Sequence, residues 1–192
     1  MKNPRILLLA AAAVAAVQIG FLSWNIASRA AILRNGQEVT LKVLPVDPRD
    51  LLRGDYVRLG YEISTVPAGL FSPPLTGEGE YGERPVSVLL AKQADGFHTV
   101  VSAAFDPGAL PAAKDGEILL HGVADSIPSA AGSTFVNYGL ERFYLPEGEG
   151  KEIEKDMRER SFSIVAAVDA AGTPQIKRFL DGTTVLYEEP YY

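Results

Sequence analysis

Cysteine is missing from this 192-residue chain. Its absence removes disulfides, thiolate nucleophiles and every sulfur-rich zinc pattern, so the fold holds by packing alone. A basic patch is missing too: the net charge is -6 and the pI about 5.0. Nucleic acid is excluded as a partner, because phosphate binding needs clustered lysine and arginine. Histidine occurs only twice, as His98 and His121, in separate expected strands and without ligand spacing to each other or to paired carboxylates. No metal and no cofactor is therefore expected. There is no Gly-x-Ser-x-Gly elbow and no EF-hand loop, and "GEGEYG" lacks the strand-to-helix context of a phosphate loop. Ser126, Ser129 and Ser133 lie in a small-residue loop with no base nearby in sequence.

What is present begins at the N-terminus. "ILLLAAAAVAAVQIGFLSWNIA", residues 6–27, carries no charge. At 1.5 Å per helical residue its roughly 22 residues cover about 30 Å of hydrocarbon, enough to span a bilayer. Lys2 and Arg5 at the near end favour a cytoplasmic N-terminus, and Trp24 and Asn25 suit the far interface. A cleaved signal peptide is the competing reading, with Ser28 and Ala30 as a small-residue pair before the cut. The run is longer than an ordinary signal core of about 7 to 15 residues, and Arg29 separates the small pair, so a retained single-pass anchor is expected. Either reading sends the remainder out of the cytoplasm.

The rest alternates like short strands punctuated by glycine and proline. "QEVTLKVLPV", "DYVRLGYEIS", "VSVLLA", "FHTVVSAAF", "EILLHGVA", "FVNYGLERFYL", "FSIVAAV" and "TVLYE" are divided by "ADG", "DPG", "KDG", "AAG" and "LDG". The expected fold class is mainly β, a β-rich α+β protein: a transmembrane helix followed by a β-sandwich or barrel-like domain. One surface helix is expected between Glu147 and Arg160. With 47% hydrophobic residues the chain can bury a core as one domain or two small modules.

An internal comparison favours two modules. Laying Glu38 on Glu117 puts "EVTL" on "EILL" and, at the same spacing, "YVRLGYE" on "FVNYGLE". Further on, residues 77–96 correspond to 148–172 with about five extra residues in the second copy. The expected organisation is an anchor over residues 1–30, a first β module over 31–112 and a second over 113–192.

The densest chemistry is in "PVDPRDLLRGDYVRLGYEIS", which carries Asp47, Arg49, Asp50, Arg53, Gly54, Asp55, Tyr56, Arg58 and Glu62. Turn geometry explains Asp47, Pro48 and Gly54. In the strand that follows, Val57, Leu59, Tyr61 and Ile63 should face the core. A hydrolase would need two carboxylates, such as Asp50 and Asp55, with separated pKa values, but the neighbouring arginines would hold both ionised. The same arginines compete with calcium for Asp47, Asp50, Asp55 and Glu62. Two readings remain: an interlocked cluster that fixes a turn, or a recognition site in which arginines hold carboxylate or phosphate close to the bilayer.

"GDYVRLGY", residues 54–61, resembles the signature of the GDYXXLXY family of bacterial membrane-anchored proteins. The flanking "PVDPRDLLRGDYV" and the later "YGLERFYLPEGEGKEIE" are similar to its other shared blocks. The second block adds Tyr138, Gly139, Glu141, Arg142, Glu147, Gly150 and Glu154 as candidates. The resemblance implies an anchored extracytoplasmic protein with no established activity, associated with polytopic membrane proteins, and it carries over no catalytic residue. The functional expectation is thus an interaction module on the periplasmic face of the inner membrane, with the bilayer and a polytopic protein as partners. Its rival is a tethered ligand-binding protein or hydrolase that uses the Asp47, Asp50, Arg53 and Asp55 cluster.

Overall fold

The structure, a computed structural model, describes residues 4–44, 56–144 and 160–190. The surface helix expected between Glu147 and Arg160 lies outside the described residues, apart from Arg160. Helix α1 covers Pro4–Asn35 and is long and apolar enough to cross a membrane. Up to Arg29 its described side chains are exposed all round: Leu8, Val17, Phe21 and Trp24 are 71%, 73%, 67% and 75% accessible. A surface this apolar finds no cover in the body, and lipid is the solvent that suits it.

Twelve strands follow: β1 (Gln37–Leu44), β2 (Tyr56–Arg58), β3 (Gly60–Tyr61), β4 (Thr65–Pro67), β5 (Glu80–Lys92), β6 (His98–Ala104), β7 (Ile118–Ile127), β8 (Ser133–Asn137), β9 (Arg142–Tyr144), β10 (Phe162–Val168), β11 (Pro174–Asp181) and β12 (Thr184–Glu188). They form two antiparallel five-stranded sheets, ordered β12-β11-β10-β1-β3 and β4-β8-β7-β5-β6, and a ribbon of β2 and β9. The mainly β expectation holds: among the described residues one α-helix stands in front of two facing sheets. Val39, Leu41, Ile164 and Phe179 of the first sheet and Val88, Leu90, Leu120 and Val136 of the second join one core, each fully buried. Burying a side chain of this size stabilises by about 1.5–3 kcal/mol.

Two expected strands are broken, each for a visible reason. "DYVRLGYEIS" changes partner at Leu59: residues 56–58 pair with β9, whereas Gly60 and Tyr61 pair with β1. Between them the Leu59 N–H donates to the Glu141 carbonyl at 2.9 Å, and a 3-10 turn over Glu62–Ser64 follows. Leu59, Tyr61 and Ile63 are buried as expected. "FVNYGLERFYL" is interrupted at Gly139, whose φ of 78° lies in the left-handed region that side chains avoid.

The helix joins the body without a spacer. Gly36 alone separates α1 from β1, and its N–H donates to the Ile32 carbonyl at 2.8 Å. A Cβ on Gly36 would stand 2.6 Å from that carbonyl oxygen and 2.9 Å from the Val168 nitrogen. Only glycine allows this approach. Ala30 and Leu33 are buried, and α1 packs on β10 and β11. Beside the joint, Glu38 on β1 reaches across β10 to Lys177 Nζ at 2.8 Å and Arg178 Nη2 at 2.6 Å on β11. These cations, the Lys177 hydrogen bond first, hold the Glu38 carboxyl below its ordinary value despite partial burial.

Candidate functional site

The signature "GDYVRLGY" divides into two parts. Its last two fixed letters are architectural: Leu59 is 1% and Tyr61 2% exposed. The Tyr61 hydroxyl donates to the Leu140 carbonyl at 2.6 Å, and the Tyr138 hydroxyl donates back to the Ile63 carbonyl at 2.8 Å. Each tyrosine thus closes the turn that carries the other. Burial, with the Glu141 carboxylate nearby, pushes both phenols above their ordinary value, so they remain neutral donors. Glu141 holds the second turn as well, since its Oε1 accepts the Tyr138 N–H at 2.6 Å.

The other candidates fall in different places. Tyr56 and Arg58 lie in β2, where Tyr56 is opposite Tyr144 and Arg58 opposite Arg142. Glu62 is exposed, and its Oε2 is 3.9 Å from Lys42 Nζ, a contact between two exposed groups. Such a pair contributes little to stability. Gly139 supplies the turn, and Arg142 is exposed on β9. Asp47, Arg49, Asp50, Arg53, Gly54, Asp55, Glu147, Gly150 and Glu154 lie outside the described residues. Of the two family blocks, the ribbon therefore brings together the inner ends, Tyr56 to Arg58 and Arg142 to Tyr144.

Both histidines sit in strands. His98 on β6 is buried, and its Nδ1 accepts the Thr40 N–H of β1 at 3.1 Å, which links the two sheets. Burial lowers the pKa of this imidazole, and Lys92 adds to the effect. His121 on β7 faces its register partner Ser87, with Nδ1 and Oγ 2.8 Å apart. Nucleophilic work would need a third group to orient the imidazole and donors for an oxyanion. Neither Ser87 nor His121 lines a cavity described here. Among the described residues no three His, Asp or Glu side chains are grouped for a metal ion.

The sequence did not point to the cleft where helix meets body. It has a volume of about 760 Å³ and is lined by Ser28, Arg29 and Ile32 of α1, by Tyr138, Gly139, Leu140, Arg142 and Phe143, by the start of β11 and by Tyr187 and Glu189. Two of its lining rings, Phe143 and Tyr187, meet edge-on at 5.2 Å, and Phe143 stacks on the core ring Phe179 at 5.2 Å, which in turn stacks on Phe162 at 5.4 Å. Such contacts fix ring geometry beyond simple burial. Arg29 was visible in the sequence only as the first charge after the apolar run.

No curated protein and no solved structure matches this chain. Residues 18–179, from the middle of α1 to β11, match the family described as GDYXXLXY protein. That stretch contains the signature, both tyrosine turns and the helix-to-sheet joint. Together with the apolar helix it fits a membrane-anchored protein, and the chain belongs to the GDYXXLXY protein family.

Proposed function

We propose that this chain is a single-pass extracytoplasmic interaction module which uses its two charged family blocks to engage a polytopic membrane protein. The observation that carries the reading is the β2–β9 ribbon. Tyr56, directly after Asp55, is paired with Tyr144, after which the chain runs on towards Glu147 and Glu154. The described ends of the two blocks, Tyr56 and Tyr144, are therefore neighbours. The arginines and carboxylates that these blocks carry in sequence suit recognition of a partner's polar loops. A photo-crosslinking residue placed at Arg49 or Glu147 should join the protein to an integral membrane protein in native membranes. The same probe at Lys114, in the loop before β7, should not; equal yields from all three positions, or none from any, would contradict the proposal.

The same reading includes an internal duplication, in which residues 31–112 and 113–192 are related halves that exchange strands. Register supports it. A shift of 76 residues carries the six register pairs from Ser87–Ala104 to Lys92–His98 onto pairs of β10 and β11, and the bulge at Leu89/Leu90 falls on the bulge at Val165/Ala166. Here the shift is 77, two residues less than the 79 that laid "YVRLGYE" on "FVNYGLE": it carries Tyr61 onto Tyr138 and Ile63 onto Leu140, which makes the two hydroxyl bonds reciprocal. The same 77 carries the β2–β9 ribbon onto the pairing of β8 with β4. For β1 and β7 the shift is 79, which turns the pair Thr40–Val165 into Leu119–Leu89. Each sheet then takes a terminal strand from one half and a hairpin from the other.

A further inference from the structure

The uncharged run of α1 ends at Ala27, yet the helix continues to Asn35. A helix of 32 residues is about 48 Å long, well beyond the roughly 30 Å of a hydrocarbon core. With residues 6–27 in hydrocarbon, the turns from Ser28 onward stand in the headgroup layer. These turns are packed on the body through Ala30 and Leu33 and joined to β1 by a single residue. The cleft beside them is thereby held at the membrane surface.

Two arginines from different elements line that cleft, Arg29 on α1 and Arg142 on β9. Both are exposed, and neither has a hydrogen-bond or ion-pair partner among the described residues. The one carboxylate on the wall, Glu189, accepts the Tyr187 hydroxyl at 2.9 Å. The described lining therefore carries one net positive charge, which matches a phosphodiester monoanion better than a free phosphate dianion. The same lining includes the apolar or aromatic side chains of Phe143, Ile176 and Tyr187. A lining that combines two guanidinium groups with apolar side chains, beside the end of the apolar helix, suits an anionic amphiphile.

We infer that this cleft binds an anionic phospholipid of the membrane that holds α1. Arg29 and Arg142 take the headgroup phosphate, and the first acyl methylenes lie against Phe143, Ile176 and Tyr187. Guanidinium holds phosphate oxygens in two-point contact, and basic side chains at a membrane surface gain from anionic lipid. The inference rests on the membrane reading of α1 and does not require a protein partner.

The test uses the full chain in a neutral maltoside detergent, titrated with dioctanoyl phosphatidylglycerol and followed by native mass spectrometry. About one lipid per chain should bind, and dioctanoyl phosphatidylcholine should bind about tenfold more weakly. The double substitution Arg29→Gln with Arg142→Gln should raise the apparent Kd about tenfold or more, while Lys114→Gln leaves it unchanged. Arg29→Gln alone, on the helix surface where it cannot unfold the sheets, should weaken binding severalfold. Equal affinity for the two lipids, or unchanged binding in the arginine variants, would overturn the site. Displacement by glycerol 3-phosphate at equal concentration would overturn the lipid source and assign the cleft to a soluble phosphate ester. Because short-chain lipid is offered in micelles, binding does not depend on α1 crossing a bilayer. Recovery of the chain in the soluble cell fraction with binding intact would overturn the membrane reading alone.

Discussion

His98 shows what a single side chain does between the sheets. Its lone pair at Nδ1 satisfies the Thr40 N–H, and burial depresses its pKa, so folding favours the neutral ring. The unfolded chain binds a proton near the ordinary value of about 6.5, where the folded chain does not. Stability from this site is therefore complete above about pH 6.5 and falls as the pH drops from there through the folded value. Unfolding by urea in detergent, followed by circular dichroism, should show a loss as the pH falls from about 6.5 to 5.5, a window in which ordinary carboxylates stay ionised. His98→Ala should cost about 1–3 kcal/mol at neutral pH by stranding the Thr40 N–H, and should flatten that slope. An unchanged slope in the variant would place the pH dependence elsewhere.

The elements differ in how far sequence revealed them. "FSIVAAV" and "TVLYE" coincide with β10 and β12, because unbroken β-branched or alternating runs have one reading. The glycine-bearing turns also coincide: Gly96, Gly116, Gly172 and Gly182 all take positive φ. β11 was not legible, since "PQIKRFLD" opens on proline and spends Lys177 and Arg178 on Glu38 across the sheet. That partner is remote in sequence. The core positions Leu59, Tyr61 and Ile63 followed from alternation, but the change of partner at Leu59 did not, because a strand switch leaves the side-chain period intact. The joint at Gly36 was equally silent, as nothing local marks the approach to Val168. Gly36→Ala should lower stability by about 1–3 kcal/mol, the range for overpacking, because backbone atoms and no flexible tip stand in the way. Gly69→Ala, which meets no atom within 4 Å, is the control and should change the thermal midpoint little.

For the whole molecule, the sequence established an apolar front and a sheet-built body, while the cleft between them depended on three-dimensional contacts. Arg29 and Arg142 are 113 positions apart in the chain, and only the docking of α1 on the first sheet brings them to one cavity. The charged family blocks were legible as composition, and the ribbon pairing adds that their inner ends meet. The account therefore turns on α1 lying in lipid with the body outside the cytoplasm. Because the chain has no cysteine, single cysteines report without background. In right-side-out membrane vesicles, Lys114→Cys should react with a membrane-impermeant maleimide, and Val17→Cys should stay unlabelled until the membrane is dissolved. Labelling of Val17→Cys in intact vesicles, or protection of Lys114→Cys until they are opened, would contradict it.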